Sequence, residues 1–136
     1  MPAQRFQPGF RLSIVDVVFL VLGGIGAAFA TTMNLWLAAA IGFVFLHFFL
    51  FCNIIRMPRV LEYIWALTFA GLVASCNALG AVSWTTVFAA ASALTVVLVS
   101  IAVRQPSYHG VGWQRFNPRL PEWWNAQTSG NDQHSK

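Results

Sequence analysis

Charge is what this sequence has least of. Only 9% of its 136 residues are Asp, Glu, Lys or Arg, against about 25% in an ordinary soluble domain. So few charges cannot cover the surface of a water-soluble globule. Disorder is excluded by the same scarcity, because disordered segments are polar and charged. Cysteine is nearly missing too: two residues cannot build a disulfide scaffold, and with no CxxC pair a thiol-redox enzyme is disfavoured. A clustered basic face or a binding motif, which nucleic-acid recognition needs, is lacking. No nucleophile stands beside a visible base and orienting group, so we expect no catalytic residue, no metal site and no enzymatic activity.

What the chain does have is apolar length, with 57% of residues hydrophobic. A membrane-crossing helix needs about 20 mostly apolar residues, and four runs qualify: 13–32, 35–55, 60–80 and 82–103. None alternates polar with apolar as an outer-membrane barrel strand does. The expected fold is therefore an all-α integral membrane protein of four antiparallel transmembrane helices, with an interfacial aromatic C-terminal tail. The connections are short: Met33-Asn34, then Arg56-Met57-Pro58-Arg59, then Ala81. Helices joined so tightly are antiparallel neighbours. This divides the chain into an N-terminal arm (1–12), a four-helix domain (13–103) and a tail (104–136). Arg5, Arg11, an apolar core and Ala28-Phe29-Ala30 also have the form of a cleavable signal peptide. Cleavage there would leave an odd number of spans, so retention of the first helix is expected.

Orientation follows from the arginines, because basic residues in short loops stay cytoplasmic. Arg5 and Arg11 lie in the arm, Arg56 and Arg59 in the second loop, and Arg104, Arg115, Arg119 and Lys136 in the tail. The first and third loops carry no charge. Both termini are thus expected in the cytoplasm, across a bacterial inner (plasma) membrane. The net charge of +4 reads as a topology signal and an attraction to anionic lipid headgroups. Trp36 and Trp84 fall at the outer ends of their helices, and Tyr63 and Trp65 near an inner end, where amphipathic rings anchor.

Lipid supplies no hydrophobic drive for helix pairing, so small residues that permit close approach matter more. Helix three carries Ala66, Ala70, Ala74 and Ala78, widened by Gly71 and Ser75. Helix one pairs Gly23 with Ala27 and Gly26 with Ala30, helix two Ala38 with Gly42, and helix four Ala89 with Ala93. We expect these to pack the bundle internally. The alternative is a face for another subunit, and Phe43, Phe45, Phe48, Phe49 and Phe51, spread around helix two, favour it.

Ionisable residues at membrane depth are functional candidates. Asp16 fits a capping box with Ser13. Arg56, Arg59 and Glu62 surround the second loop, with Asp16 at a similar depth, so the four are expected to form one ion-paired cluster; the alternative is a headgroup, quinone or partner carboxylate bound by Arg56 and Arg59. His47 lies about 12 Å from the inner end of its helix, near mid-bilayer. One reading gives it a hydrogen bond on a neighbouring helix, to a backbone carbonyl or to Ser75, Ser92 or Thr95. The other makes it an axial ligand to a haem or chlorophyll-type pigment; Phe43, one turn before it, stands where pigment sites often place a small residue. Cys52 and Cys76 are separated by about 20 Å along the axis, too far to bond.

In the tail, Trp113, Phe116, Trp123 and Trp124 alternate with Arg115 and Arg119, and Pro106, Pro118 and Pro121 prevent one long helix. Residues 108–124 are expected to be ordered against headgroups or a partner, followed by a mobile terminus beyond Asn125. His109 and His134 read as solvent histidines. Taken together, these features suggest a small accessory or assembly subunit of a larger membrane complex, with an energy-transducing complex as one candidate. The alternatives are a cofactor-bearing subunit centred on His47 and a small transporter or channel, although no polar line crosses all four helices.

Overall fold

The computed structural model describes residues 7–80 and 82–133, with side chains through residue 127; Arg5, Ala81, His134 and Lys136 lie outside the described residues. Regular structure among the described residues is entirely helical: α1 Ile14–Ala30, α2 Leu35–Phe49 running on into a wider π-helical turn Leu50–Ile55, α3 Arg59–Leu79, α4 Trp84–Val103, α5 Trp113–Phe116 and α6 Leu120–Gln133. Three helices, Leu35–Ile55, Arg59–Leu79 and Trp84–Val103, are long and apolar enough to cross a membrane. This is the make-up of a helical membrane protein. α1 is apolar but has 17 residues, about 25 Å at 1.5 Å per residue against a hydrocarbon core of about 30 Å.

The helix ends follow local chemistry. Ser13 caps α1 through a reciprocal box: its N–H donates to Asp16 Oδ2 (2.7 Å) and its Oγ accepts from Asp16 N–H (3.3 Å). α1 stops at Ala30, short of residue 32, because the Thr31 and Thr32 hydroxyls bond the Ala28 and Phe29 carbonyls in a closing turn. Asn34 caps α2 by accepting from Trp36 N–H at 2.8 Å. α4 begins at Trp84 instead of 82, because Ser83 is its cap and accepts from Thr86 N–H. α3 ends on Gly80 at φ 60°, a left-handed conformation that glycine adopts without a Cβ penalty. The π turn ends on Arg56 at φ 53°, where a non-glycine residue costs about 1–2 kcal/mol.

α1 packs on α2 through its small residues. Gly23 is buried beneath Phe45, whose ring leaves no room for a Cβ: one built there would lie 2.7 Å from the Phe45 Cε1 atom. Phe19 closes the same seam against Phe45 at 4.5 Å between ring centroids. α4 turns Val87, Ala91, Thr95, Leu98 and Ala102 inward at helical spacing. The centre is a stack of rings from α2 and α3. Trp65, only 1% exposed, lies flat against His47 (4.7 Å) and Phe69 (5.2 Å), and Phe43 stacks on Phe69 at 5.5 Å. Moving apolar area from lipid tails to protein gains little, so ring geometry, about 0.5–1.5 kcal/mol per pair, and the Trp65 hydrogen bond carry more of the association.

Three expectations change here. Trp65 is not an interface anchor but the middle of the core, because its Nε1–H finds Thr95 Oγ1 at 2.9 Å and so leaves no polar edge to solvate. On α3, Ala70, Ala74 and Ala78 face outward, since the aromatic Trp65–Phe69 face takes the interior. Ala89 and Ala93 of α4 are likewise exposed, displaced by the Val87–Ala91–Thr95 row.

The segment after α4 folds back on the arginine-bearing end of the bundle. Val111 N–H donates to the Ile54 carbonyl (2.8 Å), and Gly9 N–H in the arm donates to the His109 carbonyl (2.7 Å). Tyr108 is buried, and its hydroxyl donates to the Val111 carbonyl at 2.7 Å. The Asn117 amide ties back to the Pro106 and Tyr108 carbonyls. Regular structure continues past Asn125, since α6 runs to Gln133: with Pro121 in its first turn, where a missing N–H costs nothing, no later proline interrupts it.

Candidate functional site

His47 sits within one turn of the start of the π segment, with its ring among Phe43 (4.0 Å), Trp65 (4.7 Å) and Phe51 (5.7 Å). Its Nδ1 lies 2.8 Å from the Phe43 carbonyl, one turn back on its own helix. A carbonyl only accepts, so Nδ1 carries the proton and Nε2 is left as a bare acceptor. None of Ser75, Ser92 and Thr95 is its partner. Ser75 bonds the Gly71 carbonyl, Thr95 is engaged with Trp65 and Ala91, and Ser92 faces outward. An Nδ1–H anchored on a carbonyl is the arrangement that orients an imidazole for ligation through Nε2. Among the described residues no group of three His, Cys, Asp or Glu side chains gathers to hold a metal ion.

The four ionisable residues of the second loop and α1 are divided by the structure into separate contacts. Asp16 is held by Ser13 and by the Asn53 amide, whose nitrogen lies 2.9 Å from Asp16 Oδ2 and 2.5 Å from the Arg11 carbonyl. Glu62 accepts from the Cys52 thiol at 3.6 Å and has Arg59 in electrostatic range. Arg56 Nη1 donates to the Gln7 carbonyl at 2.6 Å. Among the described residues no hydrogen bond joins either carboxylate to Arg56 or Arg59. Burial in the turn, with Arg11 nearby, holds the Arg56 guanidinium below its ordinary range.

Asn53 is the residue that sequence reasoning passed over. It is 4% exposed, accepts Arg11 N–H through its backbone carbonyl, and ties arm, α1 and α2 together through one amide. Its signal was available: an amide inside an apolar run requires partners. Beside it a cleft of about 200 Å³ opens between α1 and α2, with Phe19, Phe48 and Phe49 at one end and Asp16, Cys52 and Asn53 at the other. Cys52 and Cys76 are both free thiols.

Of the tail residues, Phe116 is 56% exposed although it meets Tyr108 edge-on at 6.3 Å. Arg115 and Arg119 are exposed, and Trp113, Trp123 and Trp124 are half-buried. Compared with models of known protein families, with curated proteins and with solved structures, the chain matches none.

Proposed function

We propose that this chain is a small accessory or assembly subunit of a larger membrane-protein complex, energy-transducing in the fuller form of the reading, with no catalytic activity of its own. In this reading α1 is the fourth span, tilted little or flanked by thinned lipid, and both termini lie in the cytoplasm of a cell with a bacterial inner membrane. The observation that carries it is the outer face of α3. Ala70, Gly71, Ala74 and Ala78 are exposed together, and no described residue outside its own helix comes within 4 Å of a Cβ built on Gly71. In a bilayer, small residues are useful where another helix approaches closely, and among the described residues no helix covers this stripe. The exposed Phe116 and the flanking Arg115 and Arg119 suit the same role on the cytoplasmic side, since aromatic and arginine side chains anchor interfaces.

Native mass measurement of the protein extracted in mild detergent tests the proposal. A larger assembly, disrupted by Ala74→Leu, supports it; a stable lone monomer overturns it. A tag on either terminus that is reachable from outside the cell would overturn the orientation.

The second reading, a haem or chlorophyll-type cofactor on His47, is favoured by one feature, the Nδ1–H bond that leaves Nε2 bare. Purified protein with a Soret or chlorophyll band that disappears in His47→Ala would establish it. A transporter or channel finds no comparable feature.

A further inference from the structure

Between the arginine turn and the returning segment lies a cavity of about 210 Å³, lined by Arg56 and Arg59 on one side and by Gln105, Ser107, Tyr108 and His109 on the other. We propose that this cavity is a binding site for the phosphate oxyanion of a phosphate ester, clamped by Arg56 and Arg59. The site stands independently of the subunit reading above.

Charge is the first argument. Two arginines line the cavity and no acidic residue does. Arg11 stands within electrostatic range of Arg56. The nearest acids are occupied: Asp16 is bonded to Ser13 and Asn53, and Glu62 takes the Cys52 thiol with Arg59 in range. Arg11 has Asp16 in electrostatic range and Arg59 has Glu62, which leaves Arg56 beside Arg11 with no carboxylate bonded to it among the described residues, and gathering like charges in a partly desolvated turn is unfavourable until an anion joins them. Donor geometry is the second argument. Arg56 spends one N–H on the Gln7 carbonyl, out of the five a guanidinium offers. Arg59, Ser107 and Gln105 make no side-chain hydrogen bond to a described residue. Guanidinium forks match the paired oxygens of a phosphate. Size agrees: the cavity is several times the roughly 30 Å³ of one liquid water, room for a tetrahedral oxyanion with water around it. Construction is the third. The far wall is held in place by backbone contacts, Val111 to Ile54 and Gly9 to His109, and by the His109 Nδ1 contact to the Ser107 carbonyl at 2.8 Å.

The same chemistry comes from two sources, an anionic phospholipid headgroup or a soluble phosphate. The full chain in mild detergent is titrated with short-chain phosphatidylglycerol and phosphatidylcholine by native mass spectrometry, and with inorganic phosphate by calorimetry. Retention of phosphatidylglycerol over phosphatidylcholine, weakened about tenfold or more in Arg59→Gln, supports the site with a lipid occupant. A phosphate response lost in Arg59→Gln supports it with a soluble one. Arg104→Gln removes the same charge from an exposed position outside the cavity and should leave binding unchanged. Ser107→Phe fills the cavity with both arginines intact and should abolish binding. Equal losses in Arg104→Gln and Arg59→Gln, undiminished binding in Ser107→Phe, or no response to either probe would overturn the proposal.

Discussion

Adding one methyl group at Gly110 should release the returning segment from the bundle while leaving the helices intact. A Cβ built on Gly110 falls 2.7 Å from the Ile54 carbonyl oxygen and closer still to that of Ile55. Both are backbone atoms at the end of a helix and cannot rotate aside as a side chain would. The segment must therefore lift. Overpacking of this kind costs about 1–3 kcal/mol. Lifting also strains the Val111–Ile54 and Gly9–His109 hydrogen bonds, each worth about 0.5–1.5 kcal/mol net. A combined penalty of about 2–6 kcal/mol shifts the docking equilibrium by roughly 30- to 20,000-fold. The ring stack around Trp65 is built from α2 and α3 and is untouched. In Gly110→Ala, amide hydrogen exchange at Gly9 and Val111 should accelerate by that factor, with exchange in α3 and α4 unchanged. Trypsin should then cut at Arg104 and Arg115 far sooner than in the parent. Undiminished protection of the Val111 amide in Gly110→Ala would refute the argument, because it would mean that the approach of the two backbones is not tight.

Trp65→Phe keeps a ring against His47 and Phe69 but removes the donor to Thr95, and should lower stability by about 1 kcal/mol; Trp65→Ala should cost about 3–5 kcal/mol, both read from thermal unfolding in detergent. Asn53→Leu leaves the Asp16 carboxylate and the Arg11 carbonyl short of a donor and should destabilise by about 1–3 kcal/mol, seen as faster exchange at the Arg11 amide. Docking of the returning segment should fail in alkali. Burial raises the Tyr108 phenol above its ordinary 10.0, so the docked form holds the proton more tightly, and its stability is complete below pH 10 and declines as pH rises through the raised value. Tyrosinate absorbance and tryptic cleavage should rise together there; cleavage that stays flat through the tyrosinate transition would refute the link.

The long apolar runs of α2, α3 and α4 were legible because about 20 uncharged residues in a row admit few other structures. The capping box of Ser13 and Asp16 was equally legible, since it depends only on three-residue spacing. What spacing did not reveal was which face turns inward. On α3 an alanine stripe and a Trp65–Phe69 pair share one helix, and the aromatic pair took the interior because facing rings on α2 were there to receive it. Trp65 illustrates the same limit. A tryptophan near a helix end suits a headgroup or a core equally well until Thr95, thirty residues later, is brought to its nitrogen. For His47 the depth was readable, but the partner was not, since a carbonyl on its own helix leaves no mark in the side-chain pattern. The division of the ionic cluster turned on Asn53, whose amide claimed Asp16 before either arginine of the turn.

The wide π turn closing the second helix has a consequence for how the chain is built. A helix end leaves carbonyls without intrahelical partners, and here the Ile54 carbonyl receives Val111 N–H, more than fifty residues downstream. During synthesis that acceptor is made early and its donor late, after α3 and α4 have emerged. Until then the end of the second helix has only water to satisfy it, and the arm, held at Arg11 and Gln7 by Asn53 and Arg56, still lacks the His109 partner of its Gly9. The first and last parts of the fold are thus completed in one late event, which makes docking of the returning segment a check that all intervening helices are in place.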